Sequence, residues 1–181
     1  ARQPGSAEYY PIAAIRRAVA ARPRFDHEVV PVGLREANLV VERLHRRLGR
    51  VQGHKFAIGL RRVLDQELDG VAIAARPVSR HLDDGITAEV RRIAVDPSVA
   101  NGCTKLLGAI ARSASAMGYR RLVTYTSEDE DGASLYAAGW DPIGRSPGGR
   151  WGSSKRPRDA GPEEGRKVVW VKVLRGDRRE R

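Results

Sequence analysis

The stretch Arg91–Thr126, RRIAVDPSVANGCTKLLGAIARSASAMGYRRLVTYT, decides how the rest of the chain is read. It opens on an apolar strand, crosses a loop of small residues, enters a helix and ends on a second strand. Cys103, Leu106, Leu107, Ile110, Ala114 and Met117 recur at helical spacing, which predicts one apolar face on a helix from about Asn101 to Met117. Gly118 ends that helix and Tyr119 leads into RLVTYT. Strand, helix and strand on short links predict a crossover unit within a mixed sheet. The small residues Asn101–Thr104 are either punctuation or an anion site, because a helix N-terminus presents open amides and the positive end of its dipole. No P-loop spacing is present, and no G-x-G-x-x-G follows a strand, so the common nucleotide-binding versions of such a loop are excluded.

Working back from Arg91, TAEVRRIAVD (87–96) reads as a strand. HKFAIGLRRVLD (54–65) and DGVAIAARPV (69–78) read as a hairpin whose turn is closed by Asp69-Gly70, so the three form an antiparallel meander. LREANLVVERLHRRL (34–48) places Leu34, Ala37, Val40, Val41, Leu44 and Leu48 on one side of an amphipathic helix, and HEVVPVG (27–33) is a short strand before it. Beyond Thr126 come a short helix at about Gly132–Ala138, a stop at Gly139, and strand pieces WDPIG (140–144) and KVVWVKVL (167–174). Residues 145–166 between those pieces are rich in Gly, Pro, Ser and Arg, the composition of a functional or disordered loop. The expected organisation is an arm at 1–27 with a helical candidate at Ile12–Ala21, one domain at 28–174 with a basic loop at 144–166, and a charged tail at 175–181.

At 181 residues, 41% hydrophobic and 30% charged, the sequence has the balance of one soluble globular domain. It contains no apolar run long enough to span a bilayer and opens on no basic-plus-apolar leader, so the expected location is cytoplasmic. One cysteine, Cys103, excludes an internal disulfide framework. The net charge of +11 is carried mostly by arginine, and suits either an anion-binding face or a merely solvated surface. The histidines are scattered without ligand spacing to Cys103, so no metal site is expected.

The order of these elements resembles the GNAT superfamily of acetyl-CoA-dependent N-acyltransferases, from about Val29 to Val173. Two segments carry the resemblance. Ser98-x-x-Asn101-x-Cys103 stands where the family has Q/R-x-x-G-x-G/A, and departs from it at each signature position. Asn101 can still take the left-handed conformation of a glycine, and Cys103 is small. SEDEDGASLYAAGW (127–140) is similar to the family's N-x-x-A-x-x-L-Y segment, with Asp129 for the Asn, Gly132 for the Ala, then Leu135-Tyr136 and, after them, Gly139 and the aromatic Trp140.

The resemblance implies an α+β fold with a central mixed, mostly antiparallel sheet of six to seven strands and helices on both faces. It implies coenzyme A along Ile93, Ala94 and Val95, with its pyrophosphate at Asn101, Gly102, Cys103, Thr104 and Lys105. Tyr136 would protonate the departing thiolate, since a phenol with an ordinary pKa of about 10 suits a thiol leaving group. The other reading of Tyr136 is a core residue on a helix face. Glu89 matches the place of a glutamate base, or else pairs with Arg91 as a surface ion pair. His54, Arg80, Ser127 and Glu128 are candidates for acceptor contact. More narrowly, GHKFAIG, the segments 75–96 and 119–140, and GGRWGSSKRPR together resemble a phage and mobile-element branch related to Mom-like DNA-modifying acyltransferases. The acceptor implied is an amine on a small molecule such as an antibiotic, or one linked to nucleic acid through the loop 144–166. The protein would act as a monomer or homodimer. The alternative is a non-catalytic nucleic-acid-binding protein on the same scaffold, using Arg145, Arg150, Trp151, Lys155, Arg156 and Arg158.

Overall fold

The computed structural model describes residues 26–45, 47–146 and 165–174. The helical candidate Ile12–Ala21, most of the basic loop and the charged tail lie outside them. Described elements run in the order β1 (His27–Pro31), α1 (Leu34–Leu44), β2 (Phe56–Arg62), β3 (Leu68–Ala75), a 3-10 turn (Arg80–Leu82), β4 (Thr87–Val95), α2 (Gly102–Ala116), β5 (Arg121–Ser127), α3 (Ala133–Ala137), β6 (Asp141–Ser146) and β7 (Lys167–Val173). β1 thus begins within the span expected for the arm, and β6 takes the first residues of the span expected for the loop.

All seven strands form one sheet in the order β1-β2-β3-β4-β5-β7-β6. Every neighbouring pair is antiparallel except β4 and β5, which are parallel because α2 carries the chain back across the sheet between them. The fold class is the expected α+β one. α2 and α3 bury Leu106, Leu107, Ile110 and Leu135 on one face with Ala72, Val90, Leu122 and Trp170. α1 buries Ala37, Val40 and Val41 on the other with Val71, Ile73 and Ala94.

Three expectations fail for identifiable reasons. Asp69-Gly70 does not close the β2–β3 turn; both residues lie inside β3 and are buried. The Asp69 carboxylate is held there by Arg62 Nε at 2.8 Å and His27 Nε2 at 2.7 Å, while the turn falls on 63–67, with Gln66 at φ 65°. Gly70 lies so close to β4 that a Cβ would stand 3.0 Å from Val95 Cγ2. The second failure is Leu48, which is not on α1: the helix ends at Leu44, where His45 donates its backbone amide to the Val41 carbonyl. The third is Met117, which is exposed, since α2 ends at Ala116 before its turn can reach the core.

Candidate active site

β4 and β5 stay paired for only three residues, Thr87, Ala88 and Glu89 against Arg121, Leu122 and Val123. Beyond them the strands diverge. Thr124 Oγ1 donates to the Val90 carbonyl at 2.9 Å across the start of the gap, and Ile93–Val95 follow with no β5 partner among the described residues. Their backbone polar groups on that edge are open to an extended ligand, as at any unpaired strand edge. Ala94 is buried, while Ile93 and Val95 are half-buried.

The open edge leads to the start of α2. Asn101 there has φ 57° and ψ 20°, the left-handed conformation expected of it. Gly102 packs so tightly that a Cβ would collide with Val95 Cγ1 and stand 3.1 Å from Val99 Cγ1. The Gly102 amide is taken by the Val99 carbonyl and that of Lys105 by the Asn101 carbonyl. Cys103 and Thr104 amides have no such backbone acceptor among the described residues, as first-turn amides usually do not. The Cys103 thiol is pushed up by burial, against a hydrogen bond with Ser134 in α3, which suits a packing residue better than a nucleophile. That bond also brings the beginnings of α2 and α3 together.

α3 carries Tyr136, which is 57% exposed, so the reading of it as a core residue is overturned. Its ring stands edge-on to Trp170, with centroids 4.8 Å apart. Trp170 is held in turn by Nε1 donating to Thr126 Oγ1 at 2.9 Å. Gly132, at φ 66°, lies directly beneath the same indole.

On the opposite face of the sheet the floor of the gap is polar. Alternation along β4 turns Ala88 and Val90 toward α2 and Glu89 toward the α1 side. Glu89 is 4% exposed; its Oε2 accepts from the Val78 amide at 2.8 Å and its Oε1 lies 3.3 Å from Arg91 Nη1. The pair with Arg91 therefore exists, with the carboxylate buried and the guanidinium half-buried. Burial raises the Glu89 carboxyl above the ordinary glutamate range, opposed by the Val78 amide and by the charges of Arg91, Arg92 and Lys167. Arg91 owes its place to a β-bulge: Ile73 pairs with Arg92 and Ala74 with Val90, leaving Arg91 without a partner across the ladder. Tyr125 shares this site, its phenol pushed up by burial and then by the Glu89 charge.

The rim is set by a second ion pair. Arg47, from the loop after α1, reaches Asp129 beyond β5, with Nη1 donating to Oδ1 at 2.9 Å. The Arg47 hydrogen bond is the main cause that holds Asp129 below the ordinary range. Ser127, half-buried, also bonds to Asp129, whereas Glu128 is exposed and paired with Arg145 at 3.0 Å. His54 and Arg80 are exposed, before β2 and in the 3-10 turn, and among the described residues neither bonds to Glu89 or Tyr125.

The structure thus brings Ile93–Val95 and Asn101–Lys105 together along one gap, with α3 and Tyr136 beside the start of α2 and Glu89 and Ser127 on the other face. Tyr125 and Arg47 were missed from the sequence, and Arg91 was expected only as a surface partner of Glu89. Counting alternation along β5 from Val123 would have found Tyr125; nothing in the sequence marks the bulge at Arg91.

No protein-family model matches the chain, and no curated protein matches it significantly. Solved structures do. The ribosomal-protein-S5-alanine acetyltransferase of Vibrio fischeri superposes with a TM-score of 0.61 at 8% identity, over 86% of this chain and 97% of its own. The phosphinothricin acetyltransferase of Sinorhizobium meliloti, a GNAT superfamily member solved with acetyl-CoA, gives 0.59 at 12%, over 83% and 89%. The ribosomal-protein-S18-alanine N-acetyltransferase of Escherichia coli gives 0.58 at 13%, over 82% and 94%. At such identities the likeness establishes the fold, and the fold is that of the GNAT acetyltransferases.

Proposed function

We propose that the protein is an acetyl-CoA-dependent N-acyltransferase. The observation that carries this reading is the divergence of β4 from β5 beyond Glu89, which leaves an open strand edge running to the α2 N-terminus, with a buried carboxylate where the pairing ends. Coenzyme A fits the residues present: the edge at Ile93–Val95 for an extended amide-bearing arm, and the amides of Cys103 and Thr104, beside Lys105, for a pyrophosphate. Acetyl-CoA supplies a thioester there, whose C–S bond breaks as the N–C bond to the amine forms.

The chain's own groups move the protons. Glu89, directly or through a water, takes one from the acceptor amine, a task suited to a carboxylate whose burial has raised its pKa. Tyr136, exposed on α3, donates one to the departing sulfur. Ser127 and the Arg47–Asp129 pair border the acceptor's entrance. The acceptor is an amine on a small molecule or one linked to nucleic acid, with DNA modification, detoxification or self-resistance as the corresponding roles. The expected location is cytoplasmic, and no helix among the described residues is long and apolar enough to cross a membrane.

Acetyl-CoA at a hundred times its dissociation constant should stabilise the protein by about 2.7 kcal/mol. Tyr136→Phe should keep that thermal shift and lose about a hundredfold in turnover. Absence of the shift, confirmed by calorimetry, would remove this reading. The net charge of +11 favours a second one, a nucleic-acid-binding protein without catalysis. It predicts steeply salt-dependent binding that is indifferent to Tyr136→Phe.

A further inference from the structure

Glu89 and Arg91 lie side by side on the floor of the gap, 6% and 30% exposed, with Arg91 Nη1 3.3 Å from Glu89 Oε1. The charges of Arg92 and Lys167 also reach Glu89. Two opposite charges held next to each other form a template for a ligand carrying the same two charges in reverse order. The ligand's nitrogen lies against the carboxylate and its oxyanion against the guanidinium, whose planar fork takes two oxygens at once. The bulge fixes this arrangement, because it turns Arg91 out of the ladder and toward Glu89 and Tyr125.

Resting on the acyltransferase reading, we infer that the acceptor is a small amine bearing an oxyanion, carboxylate or phosphate, close to its nitrogen, and that Arg91 recognises the oxyanion. An acceptor that carries only positive charge would meet the Arg91 guanidinium as a like charge, so polyamines and aminoglycosides are poor substrates. The Arg91 charge helps the acceptor's nitrogen to shed its proton, which it must do before it can attack. Glu89 receives that proton; the second, released as the N–C bond forms, replaces through solvent the one Tyr136 gives to sulfur, and the oxyanion takes the place of Glu89 as the partner of Arg91.

The test uses matched acceptors with the full chain and acetyl-CoA, reading coenzyme A release: α-amino acids against their carboxamides, and phosphoethanolamine against ethanolamine. Spermidine, kanamycin and an amine-bearing oligonucleotide complete the panel. The oxyanion-bearing member of a pair should be preferred in kcat/KM by about 10- to 100-fold, and which pair shows it tells carboxylate from phosphate. Arg91→Met should bring the ratio close to one and Arg91→Lys should restore part of it; a merely structural role would lower both members together and leave the ratio unchanged, overturning the assignment. Equal use of the carboxamides and ethanolamine, or preference for spermidine, kanamycin or the oligonucleotide, overturns the inference. If acetyl-CoA still shifts the wild-type melting temperature in that case, the acyltransferase reading stands. If it does not, both fall.

Discussion

Gly132 lies against the face of Trp170 so closely that a Cβ on it would stand 2.5 Å from Cη2. The small residue and the indole therefore occupy one another's space, and the left-handed φ of 66° at Gly132 adds a backbone reason for glycine. The position is committed to the ring that supports Tyr136. Gly132→Ala should cost about 2–4 kcal/mol, from overpacking and left-handed strain together. Chemical denaturation measures it. Adding Trp170→Leu should recover the overpacking part but not the strain, and full additivity of the two changes would show that the ring is not the obstacle.

Glu89 should appear as an acid limb in the pH profile. Its carboxyl holds its proton above the ordinary glutamate value, and a base must be deprotonated, so kcat/KM should rise as pH passes upward through the raised pKa. Glu89→Gln should abolish that limb and lower the rate by about 10²–10⁴-fold. A limb that survives the substitution belongs to another group.

Asp69 should act on stability in the opposite sense. Its hydrogen bonds from Arg62, helped by His27, hold its carboxyl below the ordinary range. The unfolded chain then binds the extra proton, so the contribution is complete above the ordinary value near about 4 and disappears as pH falls through the lowered one. Asp69→Asn should cost about 1–3 kcal/mol at neutral pH and flatten the acid side of the stability curve. The Glu89 carboxyl, held more tightly in the folded state, loses stability as pH rises between its ordinary and raised values, so Glu89→Gln flattens the curve at that higher pH.

Much of this was written locally. The period of Leu106, Leu107 and Ile110 places α2, and the glycines at 118 and 139, with φ of 90° and 70°, end the segments where a left-handed residue is needed. Asn101 is a residue type that can take the left-handed conformation, and it does so. What was not legible depends on partners distant in sequence. Asp69-Gly70 looks like a turn until His27 and Arg62 from two other strands close on the carboxylate. Likewise Arg47 and Asp129 stand 82 residues apart, and no spacing announces their pairing. The bulge that turns Arg91 into the site is a property of the β3–β4 ladder, invisible in either strand by itself.

The three-residue seam between β4 and β5 also has a mechanical meaning. Beyond Glu89 and Val123 the sheet behaves as two plates, β1-β2-β3-β4 and β5-β7-β6, sharing one hinge. On the α2 side the apolar core runs beneath both plates and glues them, from Val90 through Leu107 to Leu122 and Trp170. On the α1 side the buried cluster comes only from the first plate and the helix and loop that cover it, and the surface span is left to the Arg47–Asp129 strap. The two faces of the gap are thus held by different forces, apolar burial on one and, among the described residues, the Arg47–Asp129 pair on the other, which is the face that carries Glu89.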